Sequence, residues 1–271
     1  YADVNASYTA NAAGTISGLA NEAITLSDTT LAASSLNSLN ALTTGVINAS
    51  SITTLTGAYA DVNASYTANA AGTISGLANE AITLSDTTLA VSSLNSLNAL
   101  TTGVINAASV TTLTGAAGDA NTSYAANAAG TISGLGNEAV TIDDTTLAAT
   151  VLNTLDGYTS GVVNASSITT FTGSTADLNT AYGNNTASGL VLSSAGTILG
   201  LGNEAVTIDD TTLAVASLNT LNGYTSGVVN ASSVTTLTGA AADANTAYVA
   251  NAAGTISGLA NEAVTLSDTT L

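Results

Sequence analysis

The chain has 271 residues; 18 are Asp or Glu and none is Lys, Arg or His, so its formal charge is −18. Cys, Met, Trp and Pro are also absent. These absences exclude an imidazole base, a thiol or amine nucleophile, a thiolate metal centre and any basic grip on phosphate, and with it nucleic-acid binding.

The composition is not that of a disordered acidic tail. Charged residues make up 7% and hydrophobic residues 45%, with a mean hydropathy of +0.40, which leaves enough aliphatic side chains for a core. No apolar run reaches the roughly 18 residues of a membrane-spanning helix, so membrane insertion is not expected. No leader or sorting motif stands out, and the pattern is under way at Tyr1 and still running at Leu271. The expectation is a piece or mature fragment of a longer secreted material.

Internal repetition dominates. YADVNASY at 1–8 returns at 59–66, and degenerate copies start at Ala117, Thr175 and Ala241. The chain is one tandem array: 1–58, 59–116, 117–174, 175–240 and a partial copy, 241–271. The fourth copy carries about eight extra residues within Gly183–Ala195, which marks an outward loop.

In chain order, TISGL at 15–19 reads as a strand. NEAITLSDTTLA at 21–32 reads as a strand with Ile24 and Leu26 inward, Thr25 outward, and Glu22 and Asp28 at solvent-facing turns. Leu36, Leu39 and Leu42 recur three residues apart and predict a short helix over 34–42. Gly45 stands where a left-handed helix cap would go. A strand is expected over 46–50 and a second helix over 61–68. The Thr-rich SSITTLTG at 50–57 fits either an ice-ordering face or an ordinary strand.

Such a unit buries little alone, and stacked copies bury a continuous stripe. The expected fold is a repeat solenoid, a parallel β-solenoid with short helical corners; the alternative is an α/β leucine-rich-repeat-like solenoid. Apolar doublets suggest three coils per repeat and the helical segments suggest two. Two Asn columns, at 21/79/137/203/261 and 37/95/153/219, suit either side-chain ladders or turns.

The acids form three columns: Glu22/80/138/204/262, Asp28/86/144/210/268 and Asp3/61/119/177/243. Asp28, Asp86, Asp143, Asp144, Asp209, Asp210 and Asp268 are the candidate calcium ligands, against the simpler reading of solvated acids or turn caps. A calcium site needs six to eight oxygens, and neither the EF-hand loop nor the glycine-rich calcium nonapeptide is present. Equivalent acids two coils apart would lie ~10 Å apart and repel by only about 0.4 kcal/mol in water, so they do not require a cation. Five copies of one acid do not resemble a singular active site, and no catalytic residue is assigned. Sequons begin at Asn5, Asn48, Asn63, Asn121, Asn164, Asn184 and Asn230, as chance allows in so Asn-rich a chain.

The phrases SGLGNEAVTIDDTTLA, LNTLDGYTSGVVNASS and TTLTGAAADANTAY resemble the low-complexity tandem repeats of very large secreted or cell-surface bacterial proteins, notably of marine cyanobacteria. The resemblance covers essentially the whole chain. It implies an extracellular or cell-surface location and a long array, and it transfers no catalytic residue. The functional expectation is a non-enzymatic structural protein that self-associates into an extracellular filament or surface layer. The alternative is the stalk or ligand-binding module of a giant adhesin, for which calcium is the candidate cofactor. For that alternative, a carbohydrate or cell-surface ligand would need an exposed patch from Tyr158 and Tyr224, or from Tyr8 and Tyr66.

Overall fold

The computed structural model describes residues 1–185 and 197–269. Beyond Asn185, the insertion expected to form an outward loop lies outside the described residues. The fold is a repeat solenoid in which short parallel strands alternate with helices. Its residues fall into two units, Tyr1–Leu113 with Thr122–Leu135, and Thr114–Asn121 with Gly136–Leu271.

The elements up to residue 135 are α1 (Ala2–Ala12), β1 (Ile24–Thr25), β2 (Thr30–Ala32), α2 (Ala33–Asn40), β3 (Ile47–Asn48), β4 (Thr54–Gly57), α3 (Tyr59–Ala70), β5 (Ile74–Ser75), β6 (Ala81–Leu84), β7 (Thr88–Ala90), α4 (Val91–Asn98), β8 (Ile105–Asn106), β9 (Thr112–Gly115), α5 (Ala117–Ala129) and β10 (Ile132–Ser133). In the first unit, strands pair across coils instead of with their sequence neighbours. β1, β3 and β5 form one parallel sheet, and a second runs in the order β10-β8-β6-β4-β2. One buried aliphatic per strand sets the register: Leu31 opposes Leu55, Leu55 opposes Ile82, Ile82 opposes Ile105, and Ile105 opposes Ile132. Partners are therefore 23–27 residues apart, one coil's length.

Each coil carries a helix, and two helices fall in each 58-residue repeat, so the repeat makes two coils and not three. The helices run from 8 residues in α2 to 13 in α5. They alternate with the strands and pack against them. Leu36 and Leu39 of α2 and Val62 of α3 are fully buried against the strand aliphatics. The helices are rich in Ser and Asn and would be marginal alone; stacking holds them. Between α3 and α4 the chain passes through three strands: β5 belongs to the first sheet, β6 to the second and β7 to neither. Each repeat thus steps sideways by one sheet.

The strand expected over 15–19 is absent in the first copy but present in later ones as β5 and β10. Its counterparts pair with a strand one coil earlier, β3 or β8, and no such strand precedes 15–19 among the described residues. Ile16 is accordingly 43% exposed where Ile74 is fully buried.

The second unit repeats the pattern. It contains β11 (Ala139–Ile142), β12 (Thr146–Ala148), α6 (Ala149–Tyr158), β13 (Val162–Asn164), β14 (Thr170–Gly173), α7 (Thr175–Asn184), β15 (Thr197–Leu199), β16 (Ala205–Ile208), β17 (Thr212–Ala214), α8 (Val215–Tyr224), β18 (Val229–Asn230), β19 (Thr236–Gly239), α9 (Ala241–Ala253), β20 (Ile256–Ser257) and β21 (Ala263–Leu266). β11, β13 and β15 pair in parallel; β12, β14, β16, β18 and β20 form a five-stranded sheet; β17, β19 and β21 begin another. Phe171 takes the place of Leu55, opposes Leu147 and Val206, and meets Tyr182 edge-on at 5.8 Å.

Gly45 does not supply a left-handed cap. α2 ends on Ala41 in the right-handed region, and Gly45 is not among the positive-φ glycines. Its column serves close approach instead: a Cβ on Gly103 would run into the backbone carbonyl of Glu80. Gly103→Ala should therefore cost about 2 kcal/mol or more, because backbone must shift. Gly157→Ala, at a helical position with open space around the added methyl, should gain roughly 0.5–1 kcal/mol. Urea denaturation of the two variants checks the contrast.

Candidate functional site

Apart from the tyrosines, the chain's titratable side chains are its acids, all but Asp143, Asp156 and Asp209 standing in the three columns, and the structure assigns each column a place. The Glu column was expected at solvent-facing turns. Its interior copies are instead buried: Glu80 and Glu138 are 0% exposed and Glu204 1%. The reason is a shortage of partners. With no cation in the chain, a carboxylate is best placed where several N–H and O–H donors converge, and that place lies under the next coil.

Glu80 accepts the amide of Ala78 at 3.1 and 3.0 Å and the hydroxyl of Tyr66 at 2.8 Å. Glu204 repeats this with Gly202 at 2.9 Å and Tyr182 at 2.8 Å. In the terminal coils Glu22 accepts from Tyr8 and Ala20, and Glu262 from Tyr248 and Ala260. The Glu backbone is clamped too. Thr101 donates its hydroxyl to the Glu80 carbonyl at 2.8 Å and accepts the Gly103 amide at 2.9 Å. Thr159 and Thr225 do the same for Glu138 and Glu204.

Burial first, and the facing carboxylate second, push the Tyr182 hydroxyl well above the ordinary tyrosine range. Tyr66 is also raised, chiefly by burial. Glu22 is held below the ordinary range by its own amide, that of Ala20 and the Tyr8 hydroxyl.

The Asp column caps helices. Asp86 accepts the amide of Tyr59 at 2.7 Å, the first residue of α3. Asp144 takes Ala117, Asp268 takes Ala241, and Asp210 takes both the amide and the hydroxyl of Thr175. Asp28 takes the ammonium of Tyr1 at 2.6 Å. α3 and α9 have Ala at the N-cap, with no side-chain bond of their own. The cap therefore arrives from 27 residues downstream, and 35 for Asp210. α7 additionally has Ser174, which accepts from the Asp177 amide and donates to its carboxylate. Asp61, Asp119, Asp177 and Asp243 lie in the first turns of their helices, where the helix dipole favours an anion.

The calcium candidates are thus not gathered into one cage. Asp28, Asp86, Asp144, Asp210 and Asp268 each sit at a separate helix N-terminus. Asp143 and Asp209 are exposed, their amides bonded to Gly115 and Gly173. Among the described residues no group of three or more His, Cys, Asp or Glu could hold a metal.

Asn side chains act as bridges and turns, not ladders. Asn37 donates to the Asp61 carbonyl and accepts from Ser65, joining α2 to α3. Asn153 and Asn219 make the same donation to Asp177 and Asp243. The sequon residues Asn48, Asn164 and Asn230 each accept the amide two residues on. Asn21 and its counterparts are exposed. Of the two tyrosine pairs, Tyr8 and Tyr66 are buried, while Tyr158 and Tyr224 are 38% and 42% exposed. Tyr224 stacks on Tyr182 with centroids 5.6 Å apart.

Asp156 is the exception that sequence reading missed. It replaces the Asn found at 40, 98 and 222, is 3% exposed, and has one bonded partner, the Asn184 amide at 2.9 Å. Burial pushes its carboxyl above the ordinary Asp range. The signal that could have exposed it is a charge standing in an otherwise uncharged column.

No protein-family model, curated protein sequence or solved structure matches the chain.

Removing the Glu clasp should be costly. Glu80→Ala leaves the Tyr66 hydroxyl and the Ala78 amide without their acceptor and should destabilise by roughly 3 kcal/mol. Asp86→Ala removes one helix cap and should cost about 1 kcal/mol. Chemical denaturation measures both. Asp156 has the opposite pH signature to Glu22. Its folded pKa is raised, so its stabilising contribution is complete below the unfolded value and falls as pH rises through the folded one. Asp156→Asn should raise the Tm at pH 7 and leave it unchanged at pH 3. Glu22 has a lowered pKa, so its contribution is present above the ordinary Glu value and fades as pH falls through the folded one.

Proposed function

We propose that this chain is a non-enzymatic structural protein that builds an extracellular fibre or surface layer from stacked solenoid repeats. One observation carries this reading: the acids that could serve chemistry are used to join coils. Each Asp of the capping column closes a helix of the coil before it, and each interior Glu lies beneath a neighbouring turn. A repeat is thus fitted chiefly to receive another repeat. The acidic composition supports an extracellular setting rich in salt, where exposed like charges are screened.

A second reading, the stalk or ligand-binding module of an adhesin, is favoured by the half-exposed Tyr158 and Tyr224, whose rings could receive a carbohydrate. Calcium has no assigned part in the fibre reading and belongs to the adhesin one, through the Asp residues named above.

Electron microscopy of the purified chain, with and without a calcium chelator, separates the two. The fibre reading expects regular filaments or layers that survive chelation. Isolated monomers that cluster only when polysaccharide and calcium are added would overturn it.

A further inference from the structure

We propose that the outward face of each five-stranded sheet is the surface through which one copy of the chain docks on the same face of another. This rests on the self-association reading above and names the surface that would carry it. In the first unit, Thr56, Thr83, Asn106 and Ser133 stand side by side in register on the outer face. A parallel row contains Thr54, Ala81 and Val104. In the second unit, Thr172, Thr207, Asn230 and Ser257 repeat the first row.

Charge selects the occupant. All 18 ionised side chains of a copy are negative, and none stands in these rows. Two copies can meet here without opposing like charges, whereas a basic partner would be drawn to the acidic columns instead. The spacing agrees. Rows at the ~4.8 Å strand repeat are commensurate with an identical face. The face is also not purely polar: Val104 and Val228, whose carbonyls bond into the sheets, are 45% and 44% exposed. Homotypic contact would remove these side chains from water.

The area sets the strength. Five strands at ~4.8 Å and two outward residues per strand give on the order of 250 Å² per face, about a third of the ~800 Å² each partner buries in a standard interface. One pair of faces binds weakly, and successive faces along a long array add avidity.

The test is sedimentation velocity of the 271-residue chain over rising concentration, in salt that screens the acids. Two variants run beside it: Thr83→Glu with Thr207→Glu, and the near-isosteric Asn106→Asp with Asn230→Asp. The second pair keeps the acceptor oxygen that bonds the amide two residues on, so it protects the test if the first pair misfolds. The wild type should show a weight-average sedimentation coefficient that climbs with concentration, and folded variants should stay at the monomer value. Folded variants that associate as the wild type does overturn this face, while filaments persisting in their micrographs would leave the fibre reading standing. A wild type that stays monomeric at every concentration overturns the proposal, and does so equally if these rows prove to bind crystalline polysaccharide or ice.

Discussion

The absence of any cationic side chain is the constraint on which the rest of the structure depends. Each carboxylate has to be satisfied by amides, hydroxyls or water. The fold meets this by bringing donors from one coil to acids of another. Tyr66 reaches Glu80 across 14 residues, and Asp86 reaches back 27 to the first turn of α3. Electrostatic satisfaction and coil stacking are therefore the same set of contacts. A chain rich in Lys could have capped and neutralised within each coil, and its coils would have been less dependent on one another.

The same dependence explains the composition of the core. Coils must approach closely for short side chains to bridge them. Thr101 grips both the Glu80 carbonyl and the Gly103 amide, and Gly103 lies so near that carbonyl that any side chain would obstruct it. Small residues are thus required by the polar contacts as well as by the packing. Where a larger side chain enters, as with Phe171, an aromatic partner in Tyr182 accommodates it.

Much of this was legible in the sequence, and the missed part follows one rule. Alternation of aliphatic and Thr placed Ile24 and Leu26 inward and Thr25 outward, as the structure has them. Both helices of the repeat were visible from Leu spacing and from DVNASYTA. The Glu column was misplaced because a buried acid is ordinarily recognised by a nearby cation, and here its partners are backbone amides and a Tyr 14 residues away. That Tyr recurs with every Glu, which was the available signal. Gly45 was read as a helix cap because backbone proximity leaves no mark in a sequence. The coil count stayed open between two and three because the sideways step adds a strand to alternate coils, which mimics a shorter period.

That sideways step has a consequence for growth by duplication. Because β5 completes one sheet, β6 and β8 continue the next and β7 opens a third, an added repeat opens a further sheet and carries none beyond five strands. Twist, which builds up strand by strand, is never carried beyond five strands in a described sheet. Pairing partners also stay one coil apart however many repeats are present, so the contacts needed for folding remain local as the array lengthens. Recombination that gains or loses 58 residues at a time would therefore yield another closed structure, and the gene could drift in copy number without passing through an unfoldable product.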